Sequence, residues 1–423
     1  MNCFEDLKKR GLVYDSMGDL KGGLNGTPIH FYVGIDPTGD GSGLHVGHLI
    51  SLIVCKHLQK FGHVPHIILG GATAALGDPS GKDQERQVIS YEQIGKNMAK
   101  IKAQVQHILG TEVDILNNND WMSQLSFVEF MREMGKAITV NQMLAKSSVK
   151  SRIERQQGIS VQEFNYMLVQ GFDFLHMYRK HNCILEMGGQ DQWSNIEIGV
   201  EAIRKKEGVD ALGLTWPLIV DPTTNRKFGK TEGGQNIWLD GTLTSPFTMY
   251  QFFLNTSDEQ CEDLIKKFTL LPVEEIDQLI EEHKKAPHLR MLQKKLAEEV
   301  TALVHSHDDV EKAIKASEVL FGKASFETIK SLDKDTFGMA FDGVPRFSLH
   351  KEFLEDGPKF IDAMVESGAF KSKGEVRNLI KANGISLNKI KFTNCDMHIS
   401  KNDLIHDSLV IQKGKTYMLV VAN

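Results

Sequence analysis

Residues 28–36, PIHFYVGID, are followed after a short loop by residues 44–62, LHVGHLISLIVCKHLQKFG, and these two stretches decide the fold. The first is a mostly apolar run of the kind that forms a buried strand. The second places apolar side chains at positions 46, 49, 50, 53, 54 and 58, the spacing of one helix face, and Gly62 ends it. A buried strand followed by an amphipathic helix predicts the first half of a βαβ unit.

Strands and helices continue to alternate over the first half of the chain. Further strands are predicted at residues 64–71 (VPHIILGG), 183–187 (CILEM) and 213–220 (GLTWPLIV), and helices at residues 160–180 and 195–206. This alternation predicts an α/β fold in which a Rossmann-like parallel sheet forms a catalytic domain over residues 1–240. In such a sheet the ligand binds at the carboxyl ends of the strands.

The strand signals stop after residue 240. Amphipathic helical patterns predict an all-α domain over residues 241–330, and a polar stretch with Gly and Pro around residues 331–348 predicts a linker. Two helix-like segments and short alternating strands predict a small α+β domain over residues 346–423. Several domains agree with a length of 423 residues, which exceeds what one hydrophobic core usually serves.

The composition is that of a soluble globular enzyme, with 41% hydrophobic and 25% charged residues, and it excludes collagen-like or wholly disordered chains. No apolar run approaches the length of a membrane span, and the first residues, MNCFEDLKKRG, lack the pattern of a secretory signal. We therefore expect a cytoplasmic protein without membrane contact. The five scattered cysteines form no CxxC pair, which favours neither a zinc site nor a disulfide framework.

Charge is distributed unevenly along the chain. The net charge is −6, yet residues 371–423 hold nine basic and four acidic residues, against 40 basic and 51 acidic residues in the rest. A basic terminal module on an acidic body suggests that this end meets a polyanion. An ordinary solvated surface is the alternative.

The first chemical motif is LHVGH at residues 44–48, between the first strand and its helix. The positive end of a helix and its backbone N–H groups suit a phosphate chain. His45 and His48 lie three residues apart on one side of the first turn, and Gly47 lets a ligand approach the backbone closely. These residues could stabilise the charge that builds on a nucleotide as pyrophosphate leaves. Two exposed histidines on an ordinary helix are the alternative.

The second motif is RKFGKTEGG at residues 226–234. Lys227 and Lys230 are flanked by glycines, and the Thr231 hydroxyl follows the second lysine. Such a loop would be mobile and cationic, and able to close over a triphosphate. A basic surface turn is the alternative for this loop taken alone.

Residues 77–83, GDPSGKD, follow a predicted strand but do not form a P-loop. Only three residues separate the glycines, and Asp83 stands where a P-loop has Ser or Thr. The segment still offers Asp78, Lys82 and Arg86 at the end of a strand.

A third group of polar residues lies within EFNYMLVQGFDFL, residues 163–175. Tyr166, Gln170 and Asp173 are spaced by four and three residues, so they share one stripe of a helix. Their neighbours are apolar, which suggests a pocket wall that binds a polar ligand. The wet face of a surface helix is the alternative.

Together these motifs resemble the bacterial-type tyrosyl-tRNA synthetases, a family of class I aminoacyl-tRNA synthetases. The resemblance rests on YVGIDPT (32–38), LHVGHL (44–49), GGATAALGDPSGK (70–82), EFNYMLVQGFDFL (163–175), GGQDQWSN (188–195) and KFGKTEGG (227–234). Residues 371–388, KSKGEVRNLIKANGISLN, resemble an S4-like RNA-binding domain, although Asn388-Lys389 stands where that family usually has Asn-Gly. The loop in DPTGDGSGLHVGH is two residues longer than in the family's usual DPTAxSLHxGH.

The resemblance implies an activity: L-tyrosine reacts with ATP to form tyrosyl-adenylate and pyrophosphate, and tyrosyl is then transferred to the 3′ end of tRNA(Tyr). It implies that tyrosine is bound by Tyr32 and Asp173 at the phenol, by Asp78, Tyr166 and Gln170 at the ammonium group, and by Gln192. It implies catalytic contacts to ATP or pyrophosphate from Thr38, His45, His48, Lys82, Arg86, Lys227, Lys230 and Thr231. Further ATP-binding residues would be Gly34, Asp36, Gly47 and Asp191, together with Lys230.

The resemblance also implies that ATP is used with Mg²⁺, that the protein holds no metal site of its own, that it is a homodimer, and that residues 241–330 lie on the anticodon side. Three other functions remain open. A tryptophanyl-tRNA synthetase would lack the pair Tyr32 and Asp173. A small-molecule adenylyltransferase with an HxGH motif would leave the basic tail without a purpose, and an RNA-binding protein descended from a synthetase would not need an intact site.

Overall fold

The structure is a computed structural model of the whole chain. It describes residues 1–38, 41, 43–78, 89–156, 158–220, 228–229, 234–322, 325–414 and 416–423. These residues form two compact units: Met1–Thr244 with Phe252–Val304, and Ser245–Gln251 with His305–Asn423. The division into three domains stays a prediction. Residues 252–304 belong to the first compact unit, whereas residues 245–251 and 305–330 belong to the second, so the predicted helical domain is not a compact unit by itself.

A parallel sheet with one antiparallel edge strand forms the centre of the first unit. Its strands are β1 (Asp15–Met17), β2 (His30–Ile35), β3 (Val64–Leu69), β4 (Asp114–Asn117), β5 (Cys183–Gly189) and β6 (Leu212–Trp216). Their order is β1-β6-β5-β2-β3-β4, and only β1 runs antiparallel to its neighbour. The predicted Rossmann-like sheet is confirmed. Because the winding reverses between β2 and β5, the carboxyl ends of these two strands form the crevice where such folds bind ligands.

Helices cover both faces of this sheet, so its central strands are buried almost throughout. The helices before residue 210 are α1 (Cys3–Lys9), α2 (Leu20–Asn25), α3 (Val46–Lys60), α4 (Gly71–Leu76), α5 (Tyr91–Leu109), α6 (Asn119–Met122), α7 (Phe127–Ala137), α8 (Val140–Leu144), α9 (Ser147–Glu154), α10 (Val161–His181) and α11 (Trp193–Glu207). A 3₁₀ turn, Gln190–Gln192, leads from β5 into α11.

Helix α10 is the longest of the first unit in the described ranges, and its ends follow from its sequence. Ser160 accepts a hydrogen bond from the backbone of Glu163, whose side chain reaches back to Ser160, which is a capping box. Asn182 ends the helix in the left-handed conformation, with φ 53°. The helix packs on α11 and buries Met167 and Phe174 in the core. Its polar stripe is thereby held at one orientation to the sheet.

In the described part of the chain, the elements between residues 241 and 340 are helical; the sequence predicted helices over residues 241–330. They are α12 (Pro246–Leu254), which is divided between the two units, α13 (Asp258–Phe268), α14 (Val273–Lys285), α15 (Met291–Val304), α16 (His307–Phe321), α17 (Phe326–Lys330) and α18 (Lys334–Ala340). No helix in the described ranges is both long enough and apolar enough to span a membrane.

The predicted linker at residues 331–348 is wrong, because this stretch holds α18 and the first strand of a second sheet. Asp333 caps α18, and Phe337, Ala340 and Phe341 are buried at helical spacing. The polar residues between them concealed this apolar face in the sequence. The stretch is therefore a folded part of the second unit.

The second unit contains the predicted small α+β domain. Its strands are β7 (Arg346–Leu349), β8 (Ile385–Leu387), β9 (Ile390–Lys391), β10 (Ser408–Lys413) and β11 (Thr416–Ala422), and its remaining helices are α19 (Phe360–Glu366) and α20 (Lys373–Lys381). The sheet order is β7-β11-β10-β8-β9, with β7 parallel to β11 and the other pairs antiparallel. One apolar cluster over residues 349–422 gives this sheet a core of its own.

Candidate active site

A cavity of about 350 Å³ lies in the first unit at the carboxyl ends of β2 and β5. It collects every described member of the predicted site: Tyr32, Gly34, Asp36, Thr38, His45, Gly47, His48, Asp78, Tyr166, Gln170, Asp173, Asp191 and Gln192. The other predicted residues, Lys82, Arg86, Lys227, Lys230 and Thr231, lie outside the described residues. Residues from distant parts of the sequence thus meet where the winding of the sheet reverses, while their individual roles stay predictions.

The two histidines form the start of α3. The His45 ring accepts a hydrogen bond at Nδ1 from the backbone N–H of Gly47 (3.0 Å), and His48 Nδ1 accepts one from the backbone N–H of His45 (3.2 Å). Their ring centroids are 4.0 Å apart. A Cβ atom at Gly47 would lie 2.8 Å from the His45 ring, so any other residue here would displace that ring. The first turn of α3 thereby presents two imidazoles to the cavity.

Two residues of the KFGKT motif, Phe228 and Gly229, are described and lie against this turn. A Cβ atom on Gly229 would be 3.3 Å from the backbone nitrogen of Gly47. The Phe228 backbone N–H donates to the carbonyl of Ile219, and Gly229 accepts from Ile237. The middle of the predicted cationic loop is therefore anchored next to the histidine motif.

At the inner end of the cavity, Asp173 is held by two N–H donors that the sequence analysis did not identify. Asn118 Nδ2 donates to Asp173 Oδ2 (2.9 Å), and the Trp121 indole donates to Asp173 Oδ1 (2.7 Å). Burial raises the pKa of this carboxyl to about 7, and the two hydrogen bonds act against that rise because they favour the ionised form. Asp173 is thus a buried carboxylate whose two oxygens are already oriented.

Tyr32 and Glu186 lie beside Asp173. They are register partners on β2 and β5, so their side chains leave the sheet side by side. Tyr32 is 2% exposed, and burial followed by the charge of Glu186 raises the pKa of its phenol well above the ordinary value. Burial likewise raises the pKa of Glu186 to about 8. At this end of the cavity, one hydroxyl and two carboxyl groups are therefore buried away from solvent.

Tyr166 and Asp36 form the adjoining wall of the cavity. The Tyr166 hydroxyl donates to Asp36 Oδ2 (2.8 Å), and the Thr73 hydroxyl donates to Asp36 Oδ1 (2.6 Å). Burial, and after it the charge of Asp36, raises the pKa of Tyr166 well above the ordinary value. Tyr166 therefore stays a neutral hydrogen-bond donor at physiological pH.

A chain of amides connects Asp78 with Glu186. Gln192 Nε2 donates to Asp78 Oδ2 (2.8 Å), and Asn195 Nδ2 donates to Gln192 Oε1 (3.2 Å) and to Gln170 Oε1 (2.9 Å). Gln170 Nε2 then donates to Glu186 Oε1 (2.9 Å). A network of linked hydrogen bonds restrains the orientation of each amide in it.

Sequence reasoning missed Asn118, Trp121 and Glu186. The first two follow β4, a strand that was not predicted, and polar residues after a parallel strand were the available signal. Glu186 was read only as part of the buried strand CILEM, although an acidic residue inside an apolar strand is itself unusual.

Outside the cavity, the described residues include one group that could hold a metal ion. Ligand atoms of His66, Asp114 and His181 lie within 4.8 Å of one another. The contacts among them are those of an ordinary polar cluster: His66 Nδ1 lies 3.0 Å from Asp114 Oδ2, and burial lowers the pKa of His66. None of these three residues lines the cavity.

Comparison with known proteins identifies the class to which this site belongs. Residues 24–322 match the family of class I tRNA synthetases (W and Y), the enzymes for tryptophan and tyrosine, and strands β2 to β6 and the cavity lie in the matched region. Residues 336–420 match the SYY-like C-terminal domain of tyrosine–tRNA ligase.

Relatives that match over the whole length show which of these two amino-acid specificities the family has. The chain is 47% identical to the tyrosine–tRNA ligase of Bacteroides fragilis over 100% of both chains, and 46% identical to that of Flavobacterium johnsoniae over 99% of both. A solved structure, a C-terminally truncated mitochondrial tyrosyl-tRNA synthetase from Aspergillus nidulans, matches with TM-score 0.68 and 30% identity over 76% of this chain and 94% of that one. The chain belongs to the tyrosine–tRNA ligase family.

Proposed function

We propose that the cavity of the first unit activates L-tyrosine with ATP and that the chain then transfers tyrosyl to the 3′ end of tRNA(Tyr). The observation that carries this proposal is the meeting of two predicted residue sets, one for an amino acid and one for a nucleotide, in one cavity. The histidine motif borders one side, and the buried polar groups around Asp173 border the other.

Tyrosine would lie with its phenol at the inner end of the cavity. Asp173 accepts the phenol proton in a hydrogen bond, and Tyr32 provides the second contact to the phenol oxygen. The ammonium group lies near Asp78, Tyr166 and Gln170, and Gln192 holds Asp78 in place (2.8 Å). A buried acceptor that needs a hydroxyl partner rejects phenylalanine, because the acceptor is left unsatisfied when the hydroxyl is absent.

ATP would bind as its magnesium complex between β2 and the start of α3. Gly34 and Gly47 leave room for the nucleotide, Asp36, Thr38 and Asp191 provide polar contacts, and His45 and His48 face the phosphates. A carboxylate oxygen of tyrosine attacks the α-phosphorus. The bond between the α-phosphorus and the oxygen that bridges it to the β-phosphorus breaks, and pyrophosphate leaves.

No side chain acts as a nucleophile in this step, so catalysis rests on alignment and on stabilisation of the developing charge. Lys82, Arg86, Lys227, Lys230 and Thr231 are assigned to the departing pyrophosphate by the family resemblance. They are the cations and the hydroxyl that the phosphate end of the reaction requires. In the second step a ribose hydroxyl of the tRNA attacks the tyrosyl carbonyl carbon, and AMP leaves.

The second unit would bind tRNA. Lys373, Arg377 and Lys381 are exposed on α20 and four residues apart, so they form one basic stripe. A stripe of this kind suits the phosphate backbone of RNA. We further propose a homodimer in the cytoplasm, with the helices over residues 241–330 on the anticodon side.

The test is exchange of labelled pyrophosphate into ATP by the purified full-length chain. Exchange should depend on L-tyrosine, with L-phenylalanine and L-tryptophan far less effective. An Asp173→Ala variant should lose tyrosine-dependent exchange, whereas Glu197→Gln, an acidic-to-amide change outside the cavity, serves as the control. Tyrosine-independent or tryptophan-dependent exchange would refute the proposed specificity.

A further inference from the structure

Glu186 has one satisfied oxygen, and its side chain interacts with that of Tyr32. Its Oε1 accepts from Gln170 (2.9 Å), whereas Glu186 Oε2 and Tyr32 Oη are both buried and have no partner of standard hydrogen-bond geometry among the described residues. Glu186 is 1% exposed, and its register partner on β2 is Tyr32. Two unsatisfied polar atoms side by side in a dry pocket are costly unless a proton lies between them.

The direction of the amide chain fixes which atom Gln170 turns toward Glu186. A carboxylate only accepts, so Gln192 must donate to Asp78 and has its own carbonyl left for Asn195. Asn195 then donates to the Gln170 carbonyl, and the Gln170 amide donates to Glu186 Oε1. Oε1 is thus an acceptor, and a proton on Glu186 belongs to Oε2, the oxygen near Tyr32.

The hydrogen-bond partners also distinguish Glu186 from its neighbour Asp173. Asp173 receives an N–H donor on each oxygen, which favours the ionised form, whereas among the described residues Gln170 is the one N–H donor to Glu186. After burial, the charge of Asp173 contributes to the raised pKa of Glu186, because two neighbouring carboxyls repel each other when both are charged. The pair therefore keeps its proton on Glu186.

We propose, on the basis of the function above, that Glu186 is a positioning residue for tyrosine specificity: its Oε2–H donates to Tyr32 Oη, so that Tyr32 donates its own hydrogen to the phenol oxygen of the substrate. The substrate hydroxyl in turn donates to Asp173. Each group in the series Glu186, Tyr32, substrate phenol then donates one hydrogen to the next group, and Asp173 accepts the last one.

Ionisation of Glu186 would reverse this order. Tyr32 would donate its only hydrogen to the buried carboxylate and turn a lone pair toward the substrate oxygen. The single hydrogen of the substrate would then be required by both Tyr32 and Asp173. Phenylalanine has no hydroxyl, so its activation does not depend on this order.

The preference for tyrosine over phenylalanine should therefore be bell-shaped in pH. The titratable groups that face Glu186 are Tyr32 on β2 and Asp173 on α10, while β6 faces it with Gly213 and α11 with Gly199 and Asn195. The acid limb is the ionisation of Asp173, whose pKa is about 7, and the alkaline limb is that of Glu186, whose pKa is about 8. Between pH 7.5 and pH 9 the preference should fall about sixfold.

The test measures kcat/KM for tyrosine and for phenylalanine by pyrophosphate exchange from pH 6.5 to pH 9. Taking the ratio of the two cancels titration in the ATP site and titration of the substrate ammonium. Three variants are compared with the wild type: Glu186→Gln, Glu186→Leu and, as a matched control, Glu197→Gln. Glu197 is a partly exposed acid on α11 that pairs with Lys146.

Glu186→Gln keeps an acceptor for Gln170 and a permanent donor for Tyr32, so its preference for tyrosine should not fall above pH 7.5. Glu186→Leu should have a lower preference than the wild type at pH 7.5 and no alkaline limb, and Glu197→Gln should follow the wild type. The inference is overturned if the wild-type ratio is flat above pH 7.5, or if Glu186→Gln falls as steeply as the wild type. A wild type without tyrosine-dependent exchange at any pH would instead refute the proposed function.

Discussion

Replacing Trp121 by Phe removes one of the two donors to Asp173 and retains an aromatic ring. The indole donates to Asp173 Oδ1 at 2.7 Å and stacks on His176, with ring centroids 4.3 Å apart and 14° between the planes. Phenylalanine can keep the stack but cannot donate. The substitution therefore isolates the hydrogen bond from the packing.

The expected magnitude follows from the charge on Asp173. A hydrogen bond to a charged group contributes about 1.5–3 kcal/mol, and one pKa unit corresponds to about 1.4 kcal/mol. Without the indole N–H, the pKa of Asp173 should rise from about 7 by about one to two further units. At pH 7.5 the ionised fraction would drop, and kcat/KM for tyrosine would fall by about three- to 25-fold.

The sign of the pH dependence separates this explanation from a general loss of structure. Asp173 must be ionised to accept the phenol hydrogen, so affinity for tyrosine is lost as pH falls through its pKa. The acid limb of kcat/KM should move to higher pH in Trp121→Phe, and the two enzymes should converge toward pH 9. Pyrophosphate exchange with tyrosine measures this, with phenylalanine as the internal control. An acid limb at the wild-type position would refute the reasoning, whatever the size of the loss.

Three further predictions concern the rest of the site and the tail. Tyr32→Phe should weaken tyrosine activation by about 0.5–1.5 kcal/mol, the net value of a neutral hydrogen bond, and phenylalanine activation less; equal losses for both amino acids would contradict its role. Lys227→Ala and Lys230→Ala should each slow activation while tyrosine affinity changes little, because their contacts form mainly in the transition state. A large loss of affinity with normal turnover would speak against a closing loop. Deleting residues 346–423 should leave adenylate formation nearly intact and abolish efficient, salt-sensitive tRNA charging, and normal charging at moderate salt would contradict it.

Local patterns in the sequence sufficed for those parts of the site that depend on one strand or one helix. The strand and helix around residues 28–62 predicted the junction that carries His45 and His48, and the spacing on α10 predicted that Tyr166, Gln170 and Asp173 share one face. The rule that ligands bind at the carboxyl ends of parallel strands connected these pieces. Periodicity and topology are properties that a single sequence displays directly.

The remaining features depend on contacts between segments distant in sequence. β4 is short and only partly buried, so its sequence DILN has weak strand character, and the Asn118 and Trp121 that follow it could not be placed at the sheet edge. The role of Glu186 depends on its register with Tyr32 across two strands, more than 150 positions apart in the chain. Neither spacing nor composition carries that information.

The two ends of the cavity are not independent, because Gln170 belongs to both. Its carbonyl accepts from Asn195 on the side of Asp78, and its amide donates to Glu186 on the side of Tyr32. A change that rotates this amide at either end would leave two buried groups without partners, one near the ammonium site and one near the phenol site. Substitutions at Asp78 and Glu186 should therefore not act additively, as is usual for residues in one hydrogen-bond network. A tyrosine pocket built in this way recognises the ammonium group and the hydroxyl as one pattern, so an amino acid that lacks the hydroxyl loses more than the single contact it fails to make.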